Sequence, residues 1–317
     1  MYSQLYSSRR ARASVFLAVH PRNRFRDGYD FARLIASSPA LEPFVAPNAY
    51  GNLSIDFSDP EAVMALNQAL LKDAYGLEWS IPPGSLCPPI PGRSDYVHHL
   101  ADLISDGDDD AIARGRSVTV LDIGAGASCI FPMIGAAEYG WRFVATEIDI
   151  RAMRWARQIV RINRNIADLI ECRLQTSPLS CFAGVVAHGE VFDASMCNPP
   201  FHASAEEAAA GSLRKRRNLG LRTTAPALNF GGQAGELWCP GGELGFIERM
   251  IAESAARPYL CRWFTTLVSK SQHLPRLRRA VKAARAADVR VVEMAQGQKK
   301  SRILAWTFLA ANARDRG

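Results

Sequence analysis

VTVLDIGAG, residues Val118 to Gly126, is an almost continuous apolar run that ends in a glycine-rich turn. A short apolar run of this kind is typical of a strand buried on both faces of a parallel sheet. Glycine has no Cβ, so the turn after the strand would let a ligand approach the backbone closely. The stretch therefore predicts a strand of a parallel α/β sheet with a ligand site at its carboxyl end.

Strands and helices alternate from this stretch to the end of the chain. Strands are predicted at residues 118–123, 141–146, 172–175, 192–197, 263–268, 289–294 and 303–308, and helices at 130–139, 153–162, 243–254 and 275–287. The alternation predicts a doubly wound, Rossmann-like α/β domain. The last two strands lie close together in sequence, which favours an antiparallel hairpin at the edge of the sheet.

The second predicted strand ends in Glu147, 23 residues after Gly124. An acid at this place can accept hydrogen bonds from both hydroxyl groups of a ribose. Cys129 stands where a dinucleotide fingerprint has its third glycine, which argues against NAD or FAD. The pattern favours a nucleoside without phosphates, such as S-adenosylmethionine. The predicted contacts on these two strands are Asp122, Gly124, Ala125, Gly126 and Glu147.

A second turn, Cys197-Asn198-Pro199-Pro200-Phe201, follows the fourth strand of this domain. The two prolines fix φ and lack N–H groups, so the turn offers carbonyl acceptors without competing donors. Asn198 adds a side-chain carbonyl, and Phe201 adds an aromatic face. Such a turn suits a planar group that carries an –NH2. Together with the nucleoside motif it predicts a class I Rossmann-like methyltransferase sheet, with Asn198, Pro199, Pro200 and Phe201 as catalytic candidates.

The chain is expected to divide into two domains. Residues 1–95 predict a small, basic, mainly helical module that ends in a proline-rich connector, and residues 96–317 predict the methyltransferase domain. Asp59-Pro60 predicts the start of a helix that reaches Lys72, and Ser94-Asp95 predicts the cap of a helix that begins at Tyr96. Residues 203–236 predict a long basic loop insertion.

Basic residues are clustered in two places on this chain of net charge +7. Arg22, Arg24 and Arg26 alternate with aromatic residues, and the loop insertion carries Arg214-Lys215-Arg216-Arg217. Both clusters predict contacts to the phosphate backbone of RNA. The alternative for each is a solvated, charged surface segment.

Composition excludes several other classes of protein. Hydrophobic residues make up 48% of the chain and charged residues 22%, as in a soluble globular protein. Its apolar runs fall short of the roughly 18 residues that span a bilayer. Seven cysteines occur without C-x-x-C pairs or a histidine cluster at metal-ligand spacing. We therefore expect reduced thiols in the cytoplasm, no metal and no disulfide framework, and we expect a monomer.

The chain resembles the RlmF-type 23S rRNA adenine-N6 methyltransferases over nearly its whole length. The matching stretches include HPRN (20–23), LCPP (86–89), PGR (91–93), LDIGAGASCIFP (121–132), CNPPFH (197–202), RKRRNLGL (214–221), LNFGGQ (228–233), ELWCPGGE (236–243) and MAQGQKKSRILAW (294–306). The resemblance implies that S-adenosylmethionine contacts Gly124, Glu147 and Asn198. It also implies that Arg93 reaches the methionine carboxylate and that a residue near Ser177 lies by the cofactor's adenine. The implied partner is 23S rRNA or an assembly intermediate of the large ribosomal subunit.

An exocyclic adenine amine is a poor nucleophile, because its lone pair is delocalised into the ring. Hydrogen bonds from its two N–H groups to the Asn198 side-chain oxygen and the Pro199 carbonyl would free that lone pair. Phe201 would stack on an adenine flipped out of its helix. No strong general base is required; we expect Asp193 to face the sheet interior or a helix cap, and His202 to be a loop residue.

Two other functions stay open at this point. A protein methyltransferase that modifies glutamine could hold an amide –NH2 in the same turn, although the basic clusters argue against it. A non-catalytic RNA-binding protein could retain the fold, although both motifs are intact.

Overall fold

A computed structural model describes residues 19–106, 112–204, 206–207, 238–296 and 299–310, with backbone only for residues 295, 296, 299 and 300. The helices are α1 Phe31–Ser37, α2 Pro60–Tyr75, α3 Ile90–Ile104, α4 Ile130–Tyr139, α5 Ile150–Ile162, α6 Gly242–Ala255 and α7 Leu274–Ala283. The strands are β1 Val45–Pro47, β2 Leu53–Ile55, β3 Thr119–Ile123, β4 Arg142–Glu147, β5 Ile170–Leu174, β6 Phe192–Cys197, β7 Cys261–Val268, β8 Asp288–Gln296 and β9 Lys299–Thr307.

Seven strands form one sheet in the order β5-β4-β3-β6-β7-β9-β8, and β1 pairs with β2 in a separate hairpin. Strands β3 to β7 are parallel to one another, whereas β9 runs antiparallel to both β7 and β8. The predicted α/β class and the edge hairpin are confirmed. The order of the strands reverses at β3, because β4 lies on one side of it and β6 on the other. Ligands of open α/β sheets bind at such a switch point, beyond the carboxyl ends of the strands.

The register of the sheet brings the two predicted motifs to the same edge. Ile123, the last residue of β3, pairs with Thr146 on β4 and with Cys197 on β6. Glu147 and Asn198 each come one residue later, so they end neighbouring strands on either side of the glycine-rich turn. The register of these three strands therefore places the nucleoside motif beside the proline turn.

Helix α3 differs from the prediction, because it begins at Ile90 with Pro89 as its N-cap rather than at Tyr96. Pro91 is tolerated in the first turn, where a backbone N–H would have no partner within the helix. Ser94 and Asp95 are buried within the helix instead of capping it. A division of the chain at residue 95 would therefore fall inside α3, and the two-domain organisation stays a prediction.

Helix α7 is shorter than predicted and ends at Ala283 rather than at residue 287. Arg285 has φ of 63°, in the left-handed region, and a helix cannot continue through that conformation. Helix α2 starts as predicted, with the Asp59 carboxylate accepting from the Glu61 N–H at 2.8 Å, and it extends to Tyr75, three residues beyond Lys72.

The apolar core lies on both faces of the sheet. One cluster joins α1 to α4 with the sheet and contains the fully buried Leu70, Trp141 and Trp263. The other lies under α6 and α7 and contains Phe264 and Trp306. The first cluster shows that the amino-terminal helices and the sheet share one continuous core, so α3 is packed against the sheet.

Candidate active site

A cavity of about 350 Å³ opens at the carboxyl ends of β3, β4 and β6. Of the residues predicted from the sequence, those that line it are Arg93, Gly124, Ala125, Gly126, Glu147, Ser177, Asn198 and Pro200. Asp122, Pro199 and Phe201 are sequence neighbours of lining residues but do not line the cavity themselves. The fold therefore gathers most residues of the two motifs around one space.

The turn after β3 forms the floor of the cavity. Gly124 and Gly126 have φ of 74° and 63°, in the left-handed region that favours glycine. A Cβ on Gly124 would meet no atom within 4 Å, so the space above the turn is open. The N–H groups of Gly124 and Ala125 donate to the Thr146 carbonyl at 3.0 and 2.8 Å, which fixes the turn to β4.

Glu147 is held by the backbone around it. One carboxylate oxygen accepts from the Gly126 N–H at 2.9 Å, and the other accepts from the Ile148 and Asp149 N–H groups at 2.7 and 2.9 Å. The side chain is buried, at 8% exposure, yet it lines the cavity. A carboxylate oxygen can accept more than one hydrogen bond, so this side chain can also receive hydroxyl groups from a ligand.

Arg93 supplies a positive charge to the cavity wall. Its guanidinium lies 5.3 Å from the centre of the Phe131 ring. Burial lowers the pKa of Arg93 to about 10, while the nearby Asp122 and Tyr96 act in the opposite direction. Arg93 is therefore still a cation at neutral pH and suits an anionic group such as a carboxylate.

Asp122 lies beneath the cavity rather than on its surface. It is fully buried, and neither carboxylate oxygen has a hydrogen-bond partner among the described residues. Burial, and then the charge of Glu147, raise the pKa of Asp122 well above its usual range. As a direct cofactor contact Asp122 stays a prediction; its proximity acts to raise the pKa of Arg93, against the effect of burial.

The proline turn is anchored from below by Tyr96 of α3. The Cys197 N–H donates to the Tyr96 hydroxyl at 3.3 Å, and that hydroxyl lies 2.7 Å from the Thr265 hydroxyl. Thr265 in turn donates to the Ser195 carbonyl at 2.7 Å. These hydrogen bonds fix the end of β6. They do not involve the next residue, Asn198.

The Asn198 side-chain oxygen is buried and has no hydrogen-bond partner among the described residues. A buried polar atom left unpaired costs roughly 1–3 kcal/mol, so such atoms are rare unless a ligand or water completes them. Because Asn198 lines the cavity, this oxygen belongs to a residue at the edge of the space where an acceptor amine would lie.

Of the two groups considered as proton acceptors, Asp193 lies elsewhere, and His202 is partly buried at the exit of the proline turn. Asp193 accepts from the Thr119 N–H at 2.8 Å and pairs with Arg262 at 3.3 Å, both at the amino ends of the strands. His202 has its Nδ1 3.8 Å from a Glu207 carboxylate oxygen. Asp193 therefore lies at the amino ends of the strands, whereas the proline turn lies at their carboxyl ends.

Several lining residues were not predicted from the sequence. Trp238, Cys239, Pro240 and Phe246 border the cavity from the carboxyl side of the predicted loop insertion, and Phe131 and Gln175 complete other parts of it. Trp238 and Cys239 belong to the matching stretch ELWCPGGE, which is the one sequence feature that could have pointed to them.

The predicted basic clusters are only partly within the described residues. Arg22 pairs with Asp102 and donates to the Tyr139 hydroxyl at 3.2 Å, so it joins the amino-terminal segment to α3 and α4. Arg24 pairs with Glu138 at 2.8 Å, and Arg26 donates to the Pro21 carbonyl at 3.0 Å; both are about half exposed. Arg214 to Arg217 lie outside the described residues. RNA contacts by these residues stay predictions.

Among the described residues one group has metal-ligand spacing, namely His20, His99 and Asp102, whose ligand atoms lie within 4.8 Å of one another. Asp102 already binds the Arg22 guanidinium and, at 2.8 Å, the His20 ring, and a cation there would be repelled by Arg22. The expectation of no metal stays a prediction. None of the described helices combines the length and apolar character needed to cross a membrane.

Comparison with known proteins identifies the family. A family model described as RNA methyltransferase matches residues 13–310. The protein named ribosomal RNA large subunit methyltransferase F is 52% identical in Photobacterium profundum, over 92% of both chains. Its namesake in Yersinia pestis is 53% identical, over 92% of this chain and 88% of that one.

Solved structures agree with the sequence relatives. The human Mettl16 catalytic domain in complex with MAT2A 3'UTR hairpin 1 matches with a TM-score of 0.79 and 34% identity, over 93% of this chain and 96% of that one. The amino-terminal domain of human METTL16 in complex with SAH matches with a TM-score of 0.72 and 32% identity, over 92% and 99%. This chain therefore belongs to the RNA methyltransferase family, together with the proteins named ribosomal RNA large subunit methyltransferase F.

Proposed function

We propose that the protein transfers the methyl group of S-adenosylmethionine to the N6 amine of an adenosine in 23S rRNA. The observation that carries the proposal is the buried Asn198 oxygen at the edge of the cavity, which has no partner among the described residues and stands beside two prolines that cannot donate. The names of the curated relatives support ribosomal RNA as the substrate. A ribosomal RNA substrate implies a cytoplasmic enzyme.

The residues around the glycine-rich turn fit S-adenosylmethionine, which supplies an electrophilic methyl group when bound. The open space above Gly124 would admit the ligand against the backbone. Glu147 would accept from the two ribose hydroxyls, since its carboxylate is fixed by three N–H groups and still lines the cavity. Arg93 would bind the carboxylate of the methionine part, and Ser177 would lie by the adenine. SAH in a structural relative is the demethylated form of the same compound and supports this assignment.

The proline turn would prepare the target amine for attack. The Asn198 oxygen and the Pro199 carbonyl would accept the two N6–H groups, which draws the nitrogen toward tetrahedral geometry and frees its lone pair. Holding the amine in place against these acceptors would supply much of the rate. The proton leaves after transfer, when the amine carries a positive charge, so these residues need not include a strong base.

The acceptor base must leave its helix to reach this turn. Extrusion costs a few kcal/mol, and stacking on Phe201 would return roughly 1–3 kcal/mol. Arg22, Arg24, Arg26 and the run Arg214 to Arg217 would bind the surrounding phosphates. Phosphate contacts fix the register of the RNA without reading its sequence, so the target is selected by other contacts.

The proposal is tested by incubating the purified protein with labelled S-adenosylmethionine and one of three acceptors: deproteinised 23S rRNA, large subunits from a strain that lacks the gene, or a release factor as a protein control. We expect label in RNA only, and we expect digestion to nucleosides to recover it as N6-methyladenosine. Mapping the labelled position then identifies the target adenosine. Label in protein, or in a nucleoside other than adenosine, would refute the proposal.

A further inference from the structure

The cavity contains a second buried polar atom that lacks a partner. The indole N–H of Trp238 has no hydrogen-bond partner among the described residues, and Trp238 lines the cavity together with Asn198. Asn198 offers an acceptor, whereas an indole N–H can only donate. Leaving both unpaired costs free energy, so a ligand that brings one donor and one acceptor would satisfy the two groups together.

Trp238 is fixed against the exit of the proline turn. It forms a parallel backbone bridge with His202, and the Cys239 N–H donates to the His202 carbonyl at 3.1 Å. The Gly242 N–H closes the next turn by donating to the Cys239 carbonyl at 2.8 Å. The indole is therefore carried by a segment whose backbone is bonded to the acceptor turn itself.

Close packing keeps this segment in place. Gly242 has φ of 58°, and a Cβ there would lie 3.2 Å from the Ala203 nitrogen. A side chain larger than hydrogen would push the segment away from the turn. The segment that carries Trp238 is thus bonded to and packed against the exit of the proline turn.

Between the two purines, adenine is the base whose edges match this pair of groups. Its N6 amine donates, and the ring nitrogens on either side of it, N1 and N7, both accept. Guanine has a carbonyl in place of the amine and would present an acceptor to the Asn198 oxygen. A donor beside Asn198 would therefore select adenine over guanine.

Building on the proposed function, we propose that Trp238 is a specificity-determining residue, which donates its indole N–H to a ring nitrogen, N1 or N7, of the flipped adenine. The amine is then held by Asn198 and Pro199, and the ring is read by Trp238. The proposal gives the enzyme a means of recognising the base that does not depend on Phe201, whose stacking is tolerant of base identity.

The test combines one protein substitution with two atom substitutions in the RNA. A short RNA that contains the mapped target is prepared with adenosine, 1-deazaadenosine or 7-deazaadenosine at that position. Wild type and Trp238→Phe, which keeps a ring but removes the N–H, are compared by kcat/KM. We expect Trp238→Phe to lose about tenfold on adenosine, as for one hydrogen bond whose partner stays buried. On one of the two deaza RNAs, wild type should fall to the same level and the substitution should cost nothing further.

Trp155→Phe is the matched control. The Trp155 indole donates to the Ser80 carbonyl at 2.9 Å and does not line the cavity, so any loss should be equal on all three RNAs. A loss by Trp238→Phe that is the same on all three RNAs would show a structural role and overturn the proposal, as would no loss on adenosine. Failure of the proposed function is distinct from both, because wild type would then methylate none of the RNAs, and the role of Trp238 would fall with it.

Discussion

The two halves of the cavity differ in how their polar groups are satisfied. In the cofactor half, Glu147 accepts three backbone hydrogen bonds, and the glycine-rich turn is bonded to β4. In the acceptor half, the Asn198 oxygen and the Trp238 indole N–H have no partners among the described residues. Glu147 and the glycine-rich turn are thus held before a ligand binds, whereas a substrate would supply the partners that the Asn198 oxygen and the Trp238 indole N–H do not find among the described residues.

This contrast assigns cofactor binding to one half of the cavity and discrimination between substrates to the other. Groups already held by the backbone can bind a common cofactor without rearrangement, which favours affinity. Groups left unpaired penalise any ligand that does not match them, since a mismatched base leaves them buried and unsatisfied. We therefore expect substitutions in the two halves to affect different kinetic constants.

The largest effect is expected for Asn198→Ala. It removes the acceptor for the target amine at the reaction centre, and loss of one fixed hydrogen bond at a reacting group costs about 10²–10³-fold in rate. Cofactor affinity, measured by calorimetry, should fall much less than the rate, because Glu147 and the bonds of the glycine-rich turn are untouched even though the cofactor contact expected of Asn198 is lost. Single-turnover transfer from labelled S-adenosylmethionine measures the rate. Asn198→Asp keeps an acceptor oxygen and should retain part of the activity; wild-type turnover by Asn198→Ala would refute the mechanism.

A smaller effect, confined to the cofactor half, is expected for Glu147→Gln. Replacing a charged acceptor by a neutral amide weakens hydrogen bonds to a ribose by about 1.5–3 kcal/mol, which corresponds to roughly 10–100-fold in cofactor affinity. The apparent kcat at saturating cofactor should stay near that of wild type. Equal losses in cofactor affinity and in kcat would mean that the two halves are not separable.

Phe201→Ala should weaken RNA binding without abolishing transfer. A base that stacks on an aromatic ring gains about 1–3 kcal/mol, so we expect roughly a tenfold rise in KM for RNA and a modest change in kcat. Steady-state kinetics with the mapped RNA fragment measures both. Phe201→Tyr keeps the stacking face and serves as the control. An unchanged KM for Phe201→Ala would show that Phe201 does not stack on the acceptor base.

The smallest effect at low salt is expected from the basic run. Replacing Arg214, Lys215, Arg216 and Arg217 by Gln removes phosphate contacts, each of which contributes about 0.7–0.9 to the slope of log affinity against log salt. RNA affinity should fall several-fold and its salt dependence should flatten. Removing the four exposed cations Arg278, Arg279, Lys282 and Arg285 changes the net charge equally on another surface. If both variants flatten the slope alike, the run has no specific role.

The sequence predicted the sheet and most of the site because both depend on local patterns. An apolar run such as Val120 to Ile123 must be buried, and parallel strands bring their carboxyl ends together, so Glu147 and Asn198 could be assigned to one edge. The start of α3 was missed because prolines in the first turn of a helix resemble those of an extended connector. A helix start and an extended connector are distinguished here only by tertiary contacts: the Ser94 hydroxyl bonds the Tyr75 hydroxyl, and the Asp95 carboxylate accepts from the His20 N–H.

The part of the site that could not be predicted consists of residues in segments whose sequence has no helix or strand periodicity. Trp238 follows a long segment that lacks helix or strand patterning, so nothing local links it to a turn 40 residues earlier in the chain. The unpaired state of its indole and of the Asn198 oxygen depends on neighbours from separate elements. Such atoms are visible only when all their surroundings are known.

Helix α3 carries Arg93 and Tyr96 within a single turn, one directed to the cofactor half and the other to the end of β6. Each residue of an α-helix is rotated by about 100° from the one before it. Insertion or deletion of a single residue between these two would therefore turn one of them away from its partner, whatever residue was added. We expect related chains to vary in length before Pro89 or after Ile104 but to keep the spacing from Arg93 to Tyr96 constant.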